Sequence, residues 1–118
     1  MGIKLVRDRI HEVKWRHDKL KKYLRPTKDV VEHHQLLVQK LLEEVGEFLA
    51  ASNQEERAQE AADVLEVLIA FLMQNHYARY NEEIDRAIVI ASIMNAMNKK
   101  FNERGGFDEG AVYVGEGD

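Results

Sequence analysis

The sequence predicts an all-α fold, and three observations predict it. Apolar residues recur at helical spacing. Leu37, Leu41, Val45, Phe48 and Leu49 form one stripe, and Ala61, Val64, Leu65, Leu68, Ile69, Phe71 and Leu72 a broader arc. The single proline, Pro26, leaves long stretches free to stay helical, and the glycines gather near the C-terminal end. Between the two apolar stripes lies a short polar break, Ser52-Asn53-Gln54, of a length that joins antiparallel helices. With 118 residues, 45% hydrophobic and 32% charged, the chain suits one domain over residues 1–118, with 108–118 as a flexible tail.

Taken in order, residues 3–10 mix Leu5, Val6 and Ile10 with Lys4, Arg7, Asp8 and Arg9, and read as an extended or coiled lead-in. A first helix is predicted from about Asp8 to Leu24, with Ile10, Val13, His17, Leu20 and Leu24 at near-helical spacing. Its basic run, Lys19, Lys21, Lys22 and Arg25, reads as a solvated face. Pro26 ends that helix by removing a donor and restricting the residue before it.

Thr27 or Asp29 is the predicted cap of a second helix reaching about Ala51. Inside it Gly46 costs about 1 kcal/mol relative to alanine, and either leaves room for a neighbouring helix to approach or is simply tolerated. A third helix is predicted from about Glu55 to His76, central and mostly buried because its apolar arc is broad. Asn81 is the predicted cap of a fourth, which reaches about Glu103 with Ile84, Ala87, Ile88, Ala91, Met94 and Phe101 on its inner face. Asn95 and Asn98 fall on that same side, where amides need partners: each other, a neighbouring backbone or a ligand. Arg104-Gly105-Gly106-Phe107 then breaks the helix, and the tail AVYVGEGD forms a small strand or stays irregular.

The chemistry concentrates in two acid pairs, Glu44 and Glu47 on the second helix and Glu60 and Asp63 on the third. Residues three apart share a helix face, so each pair can converge on one point. Acids at this spacing are ordinarily a solvated face, but both pairs here lean into the apolar arcs, whereas Glu43 falls on the opposite, solvated side. If the helices form a hairpin, all four carboxylates face each other, at a high cost unless a cation neutralises them. Hard divalent ions with oxygen ligands suit such a set, Mg²⁺ or Mn²⁺ above all.

Other classes are excluded or disfavoured. No cysteine is present, so disulfides and thiolate metal sites are ruled out, and a reducing cytoplasm is the expected location. The opening lacks the apolar core of a secretion signal, and no run approaches membrane-spanning length. A net charge of −4 argues against binding a nucleic-acid polymer. The five histidines show no zinc-protease spacing, and neither a Walker-type loop nor a dinucleotide glycine motif occurs.

The arrangement Glu44-x-x-Glu47, twelve residues, Glu60-x-x-Asp63 resembles the signature of the MazG-like all-α nucleoside triphosphate pyrophosphohydrolases. The opening Lys4-Leu5-Val6-Arg7-Asp8-Arg9-Ile10 is similar to the start of the small single-domain house-cleaning members. The closing Arg104-Gly105-Gly106-Phe107 is similar to their C-terminal motif. The chain departs from the pattern in having His11 where proline usually follows the opening, a longer basic first helix and a short spacer between the acid pairs. These departures bear on substrate choice.

The resemblance implies a four-to-five-helix bundle, assembled as a homodimer or homotetramer. It implies hydrolysis of a noncanonical or surplus nucleoside triphosphate to the monophosphate and pyrophosphate. It makes Glu44, Glu47, Glu60 and Asp63 the ligands of Mg²⁺, with Mn²⁺ as a substitute, and one of them the orienter of the attacking water. Carboxylates alone repel a triphosphate, so cations must assist: Lys100 and Arg104 first, then Lys40, Arg7 and Arg9, with Asn95 and Asn98 as candidates for base, sugar or metal-shell contacts. Two alternatives stand beside this reading. One is phosphoribosyl-ATP pyrophosphohydrolase, a relative sharing the acid pairs. The other is a catalytically silent helical interaction or regulatory module.

Overall fold

The computed structural model describes residues 3–9 and 24–115. Among them every regular element is an α-helix: α1, Val30–Ala50; α2, Gln54–Tyr80; and α3, Arg86–Arg104. The chain divides into two units, Met1–Ile84 with α1 and α2, and Asp85–Asp118 with α3. The all-α expectation therefore holds for the described residues, where three helices stand against the four or five expected. The first predicted helix falls almost wholly outside the described residues, and 111–115 carry no regular structure. No helix among the described residues is long and apolar enough to cross a membrane.

The two helices of the first unit start by the same device. Asp29 caps α1, its Oδ1 accepting from the Glu32 backbone N–H at 2.8 Å. The Glu32 carboxylate reaches back to the Lys28 N–H at 2.8 Å and takes two 2.8 Å bonds from the Arg25 guanidinium. Asn53 caps α2 in the same way, accepting from Glu56 N–H at 2.8 Å while the Glu56 carboxylate accepts from Ser52 N–H at 3.1 Å. Both are capping boxes closed one residue earlier than usual, and replacing such a cap by alanine costs about 1 kcal/mol. Arg57 adds a 2.8 Å bond to the Ala51 carbonyl. The loop Ala51-Ser52-Asn53 is thereby pinned from both ends, and α1 and α2 pack as an antiparallel hairpin.

Several expectations need correction. The third predicted helix, α2 here, runs a turn past His76 to Tyr80. Asn81 closes that helix and does not open the next. It adopts the left-handed conformation, φ 53°, and its N–H returns to the Tyr77 carbonyl at 2.8 Å. Asparagine is the side chain best suited to that conformation after glycine. Asp85 caps α3 instead, accepting from Ala87 N–H at 2.8 Å. Gly46 is exposed, and among the described residues nothing lies within 4 Å of an added Cβ, so of its two readings the tolerated glycine fits these residues. Nor is α2 mostly buried, since Leu65, Leu68 and Leu72 remain partly exposed.

In the second unit the glycines of the Arg-Gly-Gly-Phe motif have separate jobs. Gly105 ends α3 at φ 73° with its N–H on the Phe101 carbonyl at 2.8 Å, a backbone that β-carbons disfavour. Gly106 lies against the Phe101 ring, where an added Cβ would sit 3.3 Å from the ring edge. Asn95 and Asn98 are both exposed, against the expectation of an inner position, and so are Ile88, Met94 and Phe101.

The Arg25 guanidinium and the Lys28 N–H hold the Glu32 carboxyl down to about 2 from an ordinary 4.5. A depressed acid stabilises the fold above its unfolded value, and that stabilisation is lost as pH falls through the folded value. Between pH 4.5 and 2 the urea midpoint is expected to fall less steeply in Glu32→Gln than in the wild type. Parallel acid profiles would show that this pair does not anchor the start of α1.

Candidate metal and phosphate site

Each helix of the hairpin carries one stripe that turns from apolar to acidic as it nears the loop. On α1 the stripe is His33, Leu37, Lys40 and Glu44; on α2, read away from the loop, it is Glu60, Asp63, Val67 and Ala70. These spacings keep each set on one face. Because the helices are antiparallel, the acidic ends of both stripes meet. Carboxylate oxygens of Glu44, Glu60 and Asp63 lie within 4.8 Å of one another, and so do those of Glu43, Glu44 and Glu47. Glu44 belongs to both groups.

Glu44 is 7% exposed, as deep as the core residue Val67 at 8%. Burial raises its pKa; the 3.3 Å ion pair with Lys40 pulls the other way, and the charges of Glu47 and Asp63 push it up again. Burial works against the Lys40 ammonium too, but its contacts with Glu44 and Glu43 outweigh that and raise it. Lys40 leaves part of the acid set unsatisfied. Glu44 Oε2 and Glu60 Oε2 are buried without a hydrogen-bond partner among the described residues. Two buried, unpartnered carboxylate oxygens in one tight group are costly by themselves, and they fit the all-oxygen shell of a hard divalent cation.

The lead-in closes one side of this site. The Ile3 carbonyl accepts from Gln39 Nε2 at 2.9 Å, Lys4 Nζ stands 4.0 Å from Glu43, and the Arg7 guanidinium donates to Asp63 Oδ1. Between lead-in and hairpin is a cleft of about 210 Å³. Leu5, Val6, Leu37, Val67 and Ala70 supply its apolar lining, and Arg7, Lys40, Glu44, Asp63 and Glu66 its polar one. An apolar wall ending in charges of both signs is the composition that holds a ring at one end and phosphates at the other.

The four acids of the sequence reading do not share a single point. Glu44, Glu60 and Asp63 come together, whereas Glu47, exposed, groups with Glu43 and Glu44 and completes no such triad with Glu60 or Asp63. Glu43 was expected on the solvated side, yet it is half-buried between Lys4 and Lys40. Lys40, three residues earlier, is its nearer partner, and helical spacing could not find the second one, Lys4, because it comes from the distant lead-in. Glu66 also escaped the sequence reading, although its position three residues beyond Asp63 continues the acidic register into the cleft. Lys40 and Arg7 lie at the acids and Arg9 is exposed on the lead-in. Lys100, Arg104, Asn95 and Asn98 are exposed on α3, in the second unit.

Residues 16–78, just over half of the chain, match the family of phosphoribosyl-ATP pyrophosphohydrolases. No curated protein and no solved structure matches the chain.

If the acid set takes a cation, Mg²⁺ or Mn²⁺ is expected to raise the melting temperature, followed by circular dichroism, and EDTA to reverse the rise. Glu44→Gln is expected to abolish the response while leaving the metal-free protein no less stable, because it removes a buried charge whose ionisation opposes folding. A full metal response in Glu44→Gln would take Glu44 out of the site.

Proposed function

The chain belongs to the phosphoribosyl-ATP pyrophosphohydrolase family, within the MazG-like all-α nucleoside triphosphate pyrophosphohydrolases, and on that premise we propose that it hydrolyses a noncanonical or surplus (deoxy)nucleoside triphosphate in the cytoplasm to the monophosphate and pyrophosphate. One observation carries the reading: Glu44, Glu60 and Asp63 converge beside the cleft that Glu44 and Asp63 line, with two of their oxygens buried and unpartnered among the described residues. Glu44, Glu60 and Asp63 are the proposed ligands of Mg²⁺ or Mn²⁺, with Glu47 at the rim. When bound, such an ion offsets phosphate charge and acidifies a water.

The chain's own residues do the rest. Water attacks phosphorus, the bond to the bridging oxygen breaks, and pyrophosphate leaves with the electron pair. Glu47, the exposed acid beside Glu44, receives the proton of the attacking water. Lys40 and Arg7 reduce the repulsion between carboxylates and triphosphate, while Leu5, Val6 and Val67 shelter the base. Lys100 and Arg104, one turn apart on α3, are further proposed phosphate contacts, and Arg9, Asn95 and Asn98 proposed contacts of the nucleotide.

A second reading, phosphoribosyl-ATP as substrate, is favoured by the match over 16–78, which leaves out the Lys4–Ile10 opening that points to the house-cleaning branch. The test is pyrophosphate release with Mg²⁺ or Mn²⁺ across canonical and damaged nucleoside triphosphates and phosphoribosyl-ATP. Release from a subset is expected, lost with EDTA and at least about 100-fold slower in Asp63→Ala. Silence from folded, metal-loaded protein would turn the reading to a silent interaction module. As one domain over 1–118, the protein is further proposed to form a homodimer or homotetramer, covering Leu42, Leu49 and Leu72, which are 69%, 72% and 45% exposed. Sedimentation equilibrium is expected to give a twofold or fourfold multiple of 13.7 kDa, and a monomer would overturn the assembly.

A further inference from the structure

We propose that Arg7 is a displaceable counter-ion of the metal site: it holds Asp63 against the lead-in, and entry of a divalent cation releases it, together with residues 3–7, to meet the incoming phosphate. This rests on the metal reading above and goes beyond it by assigning the lead-in a role in the order of binding.

The charge balance is the first support. The two acid groups contain five carboxylates, Glu43, Glu44, Glu47, Glu60 and Asp63. Among the described residues three cations stand against them, Lys40 on Glu44 and Glu43, Lys4 near Glu43 and Arg7 on Asp63. Two negative charges are left over. A divalent ion at Glu44, Glu60 and Asp63 closes that difference, but it calls on the same Asp63 carboxylate that Arg7 holds.

The two competitors are unequal. The Arg7 side chain is 64% exposed, so its pair with Asp63 is solvated and screened by salt. An ion ligated by carboxylates with buried oxygens is screened far less. Lys40, by contrast, is half-buried on α1 and paired with both Glu43 and Glu44, so it is the better-held cation and stays.

The backbone carrying Arg7 has the freedom to follow. Residues 3–7 form no regular structure, and a turn occupies Asp8 and Arg9. The other described ties of residues 3–7 are light: the Gln39 amide on the Ile3 carbonyl and the 4.0 Å Lys4–Glu43 pair. Arg7 also lines the cleft, so a guanidinium freed from Asp63 is already beside the space a phosphate enters.

Because the chain contains no cysteine, one introduced thiol gives a unique label. A nitroxide on the I3C variant, at a side chain 59% exposed, reports mobility of the lead-in by electron paramagnetic resonance, while calorimetry follows Mg²⁺ binding. Mg²⁺ is expected to sharpen the spectrum along the calorimetric isotherm. In the R7Q/I3C variant the spectrum is expected to be sharp before Mg²⁺ is added, and Mg²⁺ to bind roughly two- to fivefold tighter, the range that loss of an exposed competing pair allows. An unchanged spectrum at saturating Mg²⁺, or equal or weaker binding by R7Q, would overturn this proposal alone and make Arg7 a fixed support of Asp63. Absence of any Mg²⁺ binding would overturn the metal reading and this proposal together.

Discussion

A carboxylate as deep as the core is the constraint on which the rest of the hairpin depends. Glu44 occupies a position on α1 that its stripe would otherwise give to an apolar side chain, and burying its charge is costly unless that charge is paired. The neighbourhood is arranged around that cost. Lys40, one turn earlier, supplies a permanent cation, and α2 brings Glu60 and Asp63 into range for an ion held in common. Replacing Glu44 by leucine would make a better core and remove the reason for the acids opposite it. Stability here is given up for a place where positive charge is drawn in.

The site is built by three pieces of chain with different stiffness. The stripes on α1 and α2 are held by helices whose ends are capped and whose loop is pinned by Asn53, Glu56 and Arg57. The lead-in has no such frame and lies against them by ion pairs and one amide contact. Rigid ligands with a compliant edge suit a site that must present a fixed set of oxygens yet admit a bulky, highly charged substrate.

Much of this was legible in the sequence because helical periodicity is a local property. The lean of Glu44 towards the apolar side of α1, a cap at Thr27 or Asp29, the break after Ala51 and the meeting of Glu44 with Glu60 and Asp63 follow from spacing and cap chemistry within a few residues, whereas the expected apolar stripe leaves Val45 and Leu49 exposed and Asp29 alone serves as the cap. The misreadings have physical causes. Asn81 and Asp85 are both cap-type residues four apart, and only the left-handed backbone at Asn81 separates an ending from a beginning. Glu43 was misplaced because it lies between Lys40 on its own helix and Lys4, far away in the chain, which spacing alone does not bring together. Asn95 and Asn98 lie on a helix where Val89 is buried but Ile88, Met94 and Phe101 are exposed, so lying on that side did not mean burial.

The three-residue loop has a consequence for how the chain folds. Short loops close at the lowest entropic cost and helical hairpins form among the fastest elements, so α1 and α2 meet before contacts distant in sequence are made. The acids are therefore gathered at the earliest stage of folding. Their mutual repulsion bears on the hairpin as it closes, and Lys40, carried on the same helix as Glu44, is a counter-charge already at hand.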